Sequence, residues 1–176
     1  HGVPAEERGL PMELRGSRTL PVNPQIAWDA LNDPEVLRAS IDGCEELERI
    51  SDTEFRAAIT AAVGPVKARF RARLTLVDVV APNSYTIRFD GQGGVAGFAK
   101  GEARVLLTPE GQDATRLDYD TKASVGGKLA QLGSRLADAA AKKSAADFFA
   151  RFDQELERRH PRAPAAGALA LRLISS

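Results

Sequence analysis

The side chains that most often do chemistry are few in this chain: the histidines are His1 and His160, and the single cysteine is Cys44. Both histidines fall outside residues 12–159, where the folding pattern described below is found, so a histidine-based nucleophile and base pair is excluded. A zinc site is nearly so, because one cysteine and no core histidine leave only carboxylates, which suit harder ions. Cys44 follows Gly43 and precedes Glu45-Glu46. Nearby acids raise a thiol pKa instead of activating it, so a buried or turn cysteine is expected there and not a nucleophile. No catalytic residue, no metal ligand and no tightly bound cofactor is assigned.

Two glycine clusters could hold phosphate, and neither has the right setting. Gly91-x-Gly93-Gly94-x-x-Gly97 has the look of a dinucleotide fingerprint, but that motif must run from a strand into a helix, and the segment that follows reads as a strand. A flexible hairpin at a pocket mouth is expected, with plain turn geometry as the alternative. Gly126-Gly127-Lys128 lacks the spacing of a phosphate loop. It is expected to turn the chain from strand into helix, and Gly93, Gly94, Gly126 and Gly127 are taken as entrance residues.

At the scale of the whole chain, 176 residues with 43% hydrophobic content suit one domain with a sizeable core. A net charge of zero makes nucleic acid a poor partner. One cysteine, no visible cleavable signal and no apolar run of bilayer length predict a reducing, cytoplasmic setting. Residues 1–11, ahead of the only methionine, Met12, are read as upstream or expression-derived sequence. Residues 160–176 are read as a Pro/Ala linker with a short apolar tail, Ala168 to Ile174, that docks in a groove or on a membrane surface or is poorly ordered.

Between these ends a strand is expected over Glu13–Leu20. Asn23 then caps a helix begun by Pro24, and Asn32-Asp33-Pro34 begins a second short helix through Arg38. Strands follow at Leu47–Ile50, Phe55–Ala62, Val66–Val80, Tyr85–Phe89, Phe98–Leu107 and Ala114–Val125, separated by turn residues, as in an antiparallel meander. Alternation makes the sheet one-sided: Val66, Ala68, Phe70, Ala72, Leu74 and Leu76 face inward, and Lys67, Arg69, Arg71 and Arg73 face outward. The outward arginines, with Glu54, Asp90, Glu102 and Asp118 among them, read as a mixed ion-pair lattice or a protein-docking face.

The proline-free run from Val125 to His160 reads as one long helix with two apolar stripes. One carries Ala130, Ala137, Ala141 and Ala145, then Phe148, Phe149, Phe152 and Leu156; the other carries Leu129, Leu132 and Leu136 on roughly the opposite side. The aromatic end can close a core. The alanine end, facing an inner sheet surface of Ala57, Ala61, Ala68, Ala72, Gly101, Ala103 and Ala123, leaves a void large enough for a guest molecule. Close helix-to-sheet packing, with alanine chosen for its propensity, is the alternative. The expected fold is α+β of the helix-grip kind: a curved antiparallel sheet of six or seven strands around a long C-terminal helix, with short helices after the first strand. Phe55, Phe70, Phe89, Phe98, Tyr119, Ala137 and Ala141 are the candidate lining, and Tyr119 can orient a guest by one hydrogen bond. Leu129, Leu132 and Leu136 are an entrance or partner surface.

Ser17-Arg18-Thr19-Leu20-Pro21-Val22-Asn23-Pro24 with Trp28, then Asp33-Pro34-Glu35-Val36-Leu37 and Ile41-Asp42-Gly43-Cys44-Glu45-Glu46-Leu47, resemble the opening of the CoxG family of carbon monoxide dehydrogenase subunits, within the START-like superfamily. Gly91 to Gly101 and Val125 to Leu136 are similar to its glycine-rich hairpin and helix start. The resemblance covers Met12 to Arg159, and Asp42 departs from the family's usual proline. It implies a noncatalytic accessory protein to a molybdenum-containing carbon monoxide dehydrogenase or related hydroxylase. It also implies a quinone or lipid guest and attachment at the inner face of the cytoplasmic membrane. A START-like cyclase or hydrolase would instead need a pocket carboxylate, and none of the acids placed by this register points inward. A purely structural adaptor would have a filled interior.

Overall fold

The computed structural model describes residues 9–161. The strands are β1 (Leu10–Leu20), β2 (Cys44–Arg49), β3 (Glu54–Val63), β4 (Val66–Val80), β5 (Ser84–Gln92), β6 (Phe98–Pro109) and β7 (Thr115–Gly126). The helices are α1 (Pro24–Leu31), α2 (Pro34–Ser40), α3 (Lys128–Gln131) and α4 (Ser134–Arg159), with a single 3-10 turn at Gly94–Ala96. The strands form one seven-stranded antiparallel sheet in the order β1-β7-β6-β5-β4-β3-β2. This is the helix-grip fold expected from the meander.

The alternation settles which face is buried. Cross-strand neighbours share a face, so the pairs Ala57↔Ala72, Ile59↔Phe70, Leu74↔Phe89, Ile87↔Ala103 and Val105↔Tyr119 make one continuous inner surface. Lys67, Arg69, Arg71 and Arg73 are exposed on the other side. There Glu54 pairs with Arg73 at 3.3 Å, and Glu45 with Arg69 at 3.2 Å. Such exposed pairs contribute little individually.

Proline and an acceptor side chain start each short helix. Asn23 Oδ1 accepts from Ile26 N at 2.9 Å, and Asp33 Oδ1 accepts from Glu35 N at 2.9 Å, with Pro24 and Pro34 in the first turns. Together the two helices close one end of the sheet. Trp28, Leu31 and Val36 pack there with Leu20, Phe55, Leu107 and Leu117 and with Phe149, Phe152 and Leu156 of α4. Asp42 ties its loop to α4 through Arg151 at 3.0 Å.

Most element ends lie within three residues of expectation, and three differences have a clear physical cause or consequence. β1 begins at Leu10, and Leu10 and Pro11 pair with Val125 and Ser124, so the sheet reaches into the segment set aside as upstream sequence. β2 runs Cys44–Arg49 and leaves out Ile50, whose N–H instead closes a turn on Glu54 O at 2.8 Å. The long helix is broken at Gly133, where φ is +87°, a backbone that glycine takes without strain and that ends α3 before α4 begins. The apolar tail 168–174 lies outside the described residues.

Asn23→Ala removes the α1 cap, and a loss of about 1 kcal/mol in urea unfolding with an unchanged m value is expected. A midpoint equal to that of the parent would show that the Asn23 contact carries no stability.

Candidate functional site

The inner surface is graded. At the α1–α2 end it carries Phe55, Leu76, Tyr85, Val105, Leu107 and Leu117, all buried; at the other it carries Ala61, Ala68, Gly91, Ala99, Gly101 and Ala123. Helix α4 lies across it in the matching sense, large side chains over large. Phe148 stacks on Phe152 with centroids 5.6 Å apart, and Phe149 meets Tyr119 at 5.4 Å. Ala137, Ala140 and Ala141 are then held over a sheet surface that they cannot reach.

Besides a polar space of about 320 Å³ that opens along the β1–α4 edge beside Arg18, Lys142, Tyr119 and Phe149, two adjoining apolar chambers lie between helix and sheet. The outer one, about 330 Å³, is lined by Met12, Ile59, Ala61, Val63, Phe70, Ala72, Leu74, Phe89, Gly91, Ala99, Val125, Leu129, Ala137, Ala140 and Ala141, with Ser144 the one polar side chain. The inner one, about 260 Å³, lies between Leu31, Leu37 and Ile41 of the short-helix end and Phe55, Leu74, Leu76, Tyr85, Ile87, Phe89, Tyr119, Phe148 and Phe149. Leu74 and Phe89 belong to both. Neither chamber has a charged lining residue.

Six of the seven expected lining residues are therefore brought to the cavity: Phe70, Ala137 and Ala141 to the outer chamber, Phe55 and Tyr119 to the inner, and Phe89 to both. Phe98 is not. Ala99 and Gly101 of β6 face inward, so the two-residue period turns Phe98 to the outer face, where its ring covers Gly126 and Lys100 Nζ sits 5.1 Å from its centroid. Tyr119 reaches the chamber with its ring only, since its hydroxyl lies against Gly16, where a Cβ would be 2.2 Å away. The phenol that the chamber encloses is instead Tyr85, for which strand alternation gives an inward direction and nothing more.

The leucine stripe is not one surface, because the break at Gly133 turns its members apart. Leu129 is buried and lines the outer chamber, and Leu132 packs against Val125, Leu129 and Ala137. Leu136 alone is exposed, beside the β3–β4 turn at Gly64. The glycines form a seam more than an opening. A Cβ on Gly97, whose φ is +115°, would lie 1.8 Å from Gly126 O, and one on Gly127 would lie 2.5 Å from Gly97 Cα. The β5–β6 hairpin is thus sewn by backbone contact to the start of α3. Gly93 sits under the Phe70 ring, whereas Gly94 has open space around it.

A family model described as that of the carbon monoxide dehydrogenase subunit CoxG matches residues 16–157. The chain belongs to the CoxG family. It is similar to a solved conserved protein from Geobacillus kaustophilus, 32% identical over 84% of this chain and 96% of that one, with a TM-score of 0.78. A START superfamily protein from Mycobacterium smegmatis is 17% identical over 83% of this chain and 97% of that one, at a TM-score of 0.61. The Zhui aromatase/cyclase from a Streptomyces species is 11% identical over 85% of this chain and 96% of that one, at 0.63. The last two show the START-like fold alone. No curated protein matches the chain.

In this CoxG family member the reactive groups stand away from the cavity. Cys44 Sγ donates to Glu46 O at 3.3 Å, and burial raises the thiol pKa, with Arg38 pulling the other way, so the thiol form is favoured. One acid that the register does not reach is part-buried: Asp153 of α4 pairs with Arg18 of β1, whose guanidinium lies 4.8 Å over the Phe149 ring. The sheet register does not place Asp153, because it is a helix residue. It lines neither chamber. Among the described residues no three His, Cys, Asp or Glu side chains are grouped to hold a metal.

Burial raises the Asp153 pKa above the ordinary carboxylate value, opposed by Arg18 and helped by Glu157. A raised folded-state pKa means that the folded chain holds this proton more tightly. The contribution of the group is therefore fullest below the unfolded value and is lost as pH rises through the folded one. The stability of the parent chain relative to Asp153→Asn is expected to fall as pH rises across the acid range; parallel pH profiles would show that the carboxyl is unperturbed.

Proposed function

We propose that this protein is a noncatalytic carrier of a lipophilic guest, a quinone or lipid, acting as accessory to a molybdenum-containing carbon monoxide dehydrogenase or related hydroxylase. The observation that carries this reading is the pair of adjoining chambers with no charged lining residue. The outer chamber alone reaches the size of small-molecule sites, which start at about 300 Å³, and the inner one extends it. Removing roughly 200 Å² of apolar ligand surface from water contributes about 5 kcal/mol before ordering costs. An enzyme of this fold working through a pocket carboxylate is disfavoured, since Asp153 is engaged by Arg18 and stands outside both chambers. A filled interior, as a pure adaptor would have, is not what surrounds Ala137 and Ala141. Partnership with the dehydrogenase rests on family membership.

Charge supports a peripheral membrane contact on the outer-chamber side. Segments 61–71, 91–101 and 121–137, which together supply Ala61, Val63, Phe70, Gly91, Ala99, Val125, Leu129 and Ala137 to the lining, hold none of the chain's 24 acids and seven of its lysines and arginines. Lys67, Lys100, Lys128 and Arg135 are exposed there, with Val95 at the hairpin tip 83% exposed and Leu136 beside the neighbouring turn. Anionic headgroups and the upper acyl layer complement such a rim.

Native mass spectrometry of protein purified from its own host, followed by organic extraction, is expected to release an apolar guest. Ala141→Phe fills the outer chamber and is expected to weaken nile red binding at least tenfold with little change in melting temperature; full binding by a folded Ala141→Phe protein would sink the carrier reading. Cosedimentation with phosphatidylglycerol vesicles is expected to exceed that with phosphatidylcholine vesicles. Salt and the pair Lys67→Glu, Lys128→Glu should each reduce it. Equal sedimentation with both lipids would remove the membrane contact and leave the cavity untouched.

A further inference from the structure

The two phenols of the inner chamber are not equivalent. The Tyr119 hydroxyl is taken up against Gly16 at the sheet's edge strand. Tyr85 stands on β5 opposite Val105, is 3% exposed, and is held edge-on by the Trp28 indole with centroids 5.1 Å apart and planes at 88°. Among the described residues no group hydrogen-bonds its hydroxyl, and that oxygen is not one of the fully enclosed unpartnered atoms, which are Arg18 Nε and Asp153 Oδ1, so it borders space that a water-sized molecule can enter. Burial, with no other cause beside it, pushes this phenol far above its ordinary pKa, so it is held in the neutral form, with a proton to donate. Buried tyrosine hydroxyls ordinarily have a partner, because leaving one unmade forfeits the hydration of the group. A core built only for stability would carry phenylalanine at this position.

We propose that Tyr85 reads the ligand, donating one hydrogen bond to a carbonyl-type acceptor on an otherwise apolar, uncharged molecule whose polar end enters the inner chamber. The inference rests on the carrier reading and narrows it to one chemical class. A carboxylate or ammonium group would lose its hydration with no counter-charge among Leu31, Leu37, Ile41, Phe55, Ile87 and Phe148. A plain hydrocarbon would leave the Tyr85 hydroxyl as it stands. A ketone, quinone or ester carbonyl satisfies that hydroxyl, and the apolar remainder of the ligand then runs past Leu74 and Phe89 into the outer chamber.

Three naphthalenes of similar shape test this by calorimetric titration: 2-acetylnaphthalene, 2-ethylnaphthalene and 2-naphthoate. The parent chain is expected to prefer the ketone to the ethyl compound by about five- to tenfold, the yield of one hydrogen bond, and to leave the carboxylate unbound. Tyr85→Phe is expected to bind the ethyl compound as the parent does, to lose the preference for the ketone, and to melt no lower. In the parent chain alone, the carbonyl stretch of the bound ketone should fall below its frequency in hexane, a readout that needs no variant. A preference kept by Tyr85→Phe, equal affinities in the parent, an unshifted carbonyl band or bound naphthoate would each overturn the assignment. If neither neutral compound binds the parent chain, the carrier reading fails, and this inference with it.

Discussion

Everything in this molecule depends on the distance at which one helix is held from one sheet. Phe148, Phe149 and Phe152 of α4 set that distance at the end where Phe55, Leu107 and Leu117 answer them, and a rigid helix carries the same spacing to the end where only alanine faces alanine. Interiors pack closely when side-chain volumes match the gap; here the volumes fall away along the helix while the gap does not. The cavity is thus a consequence of a volume gradient, and it survives because collapsing it would require α4 to tilt off its aromatic anchor.

A hollow of this kind weakens the side of the domain that contains it, and that side is secured by backbone and not by side chains. Gly97 and Gly127 approach closely enough that any Cβ would clash, so the β5–β6 hairpin and the start of α3 are locked together without side chains filling the cavity wall. The break at Gly133 serves the same end. It lets Leu129 drop inward as a wall of the outer chamber while α4 starts afresh over Ala137 and Ala141. A continuous helix from Val125 would have carried Leu129 away from the space it now borders.

The parts of this arrangement that depend on a short period were legible in the sequence. Two-residue alternation through β4 places Phe70, Ala72 and Leu74 correctly, and proline with asparagine or aspartate marks both short helices. The small-to-large gradient along the final helix, set against the alanines and glycine of the inner sheet face, points to the void, with close packing left as the alternative. What escapes is whatever depends on one residue's backbone or on a partner far along the chain. A single positive φ at Gly133 undoes a helical wheel drawn through it. Hydrophobicity argues for an inward Phe98, although its own strand's parity, with Gly101 and Ala103 inward, turns it out. Asp153 can be placed opposite Arg18 only once β1 and α4, 135 residues apart in sequence, are known to touch. The tie from Asp42 is likewise invisible, because its partner Arg151 stands on an element more than 100 residues away.

The distribution of polarity within the hollow decides more than its shape does. Charges that could have faced the chambers are withdrawn from them: Arg18 of β1 and Asp153 are tied to each other at the flank, and the β4 arginines point outward. What remains inside is hydrocarbon with a buried phenol, Tyr85, and one serine, Ser144, among the lining of the outer chamber. Hydrocarbon walls supply affinity in proportion to area and discriminate poorly among guests of similar size, whereas an unpaired polar group in low dielectric discriminates strongly because its alternative is to remain unsatisfied. Selectivity in such a site must therefore come from the fewest polar atoms, and the deeper they lie the more each one decides. In these chambers those atoms are neutral hydroxyls, so what they discriminate is hydrogen-bonding capacity and not charge.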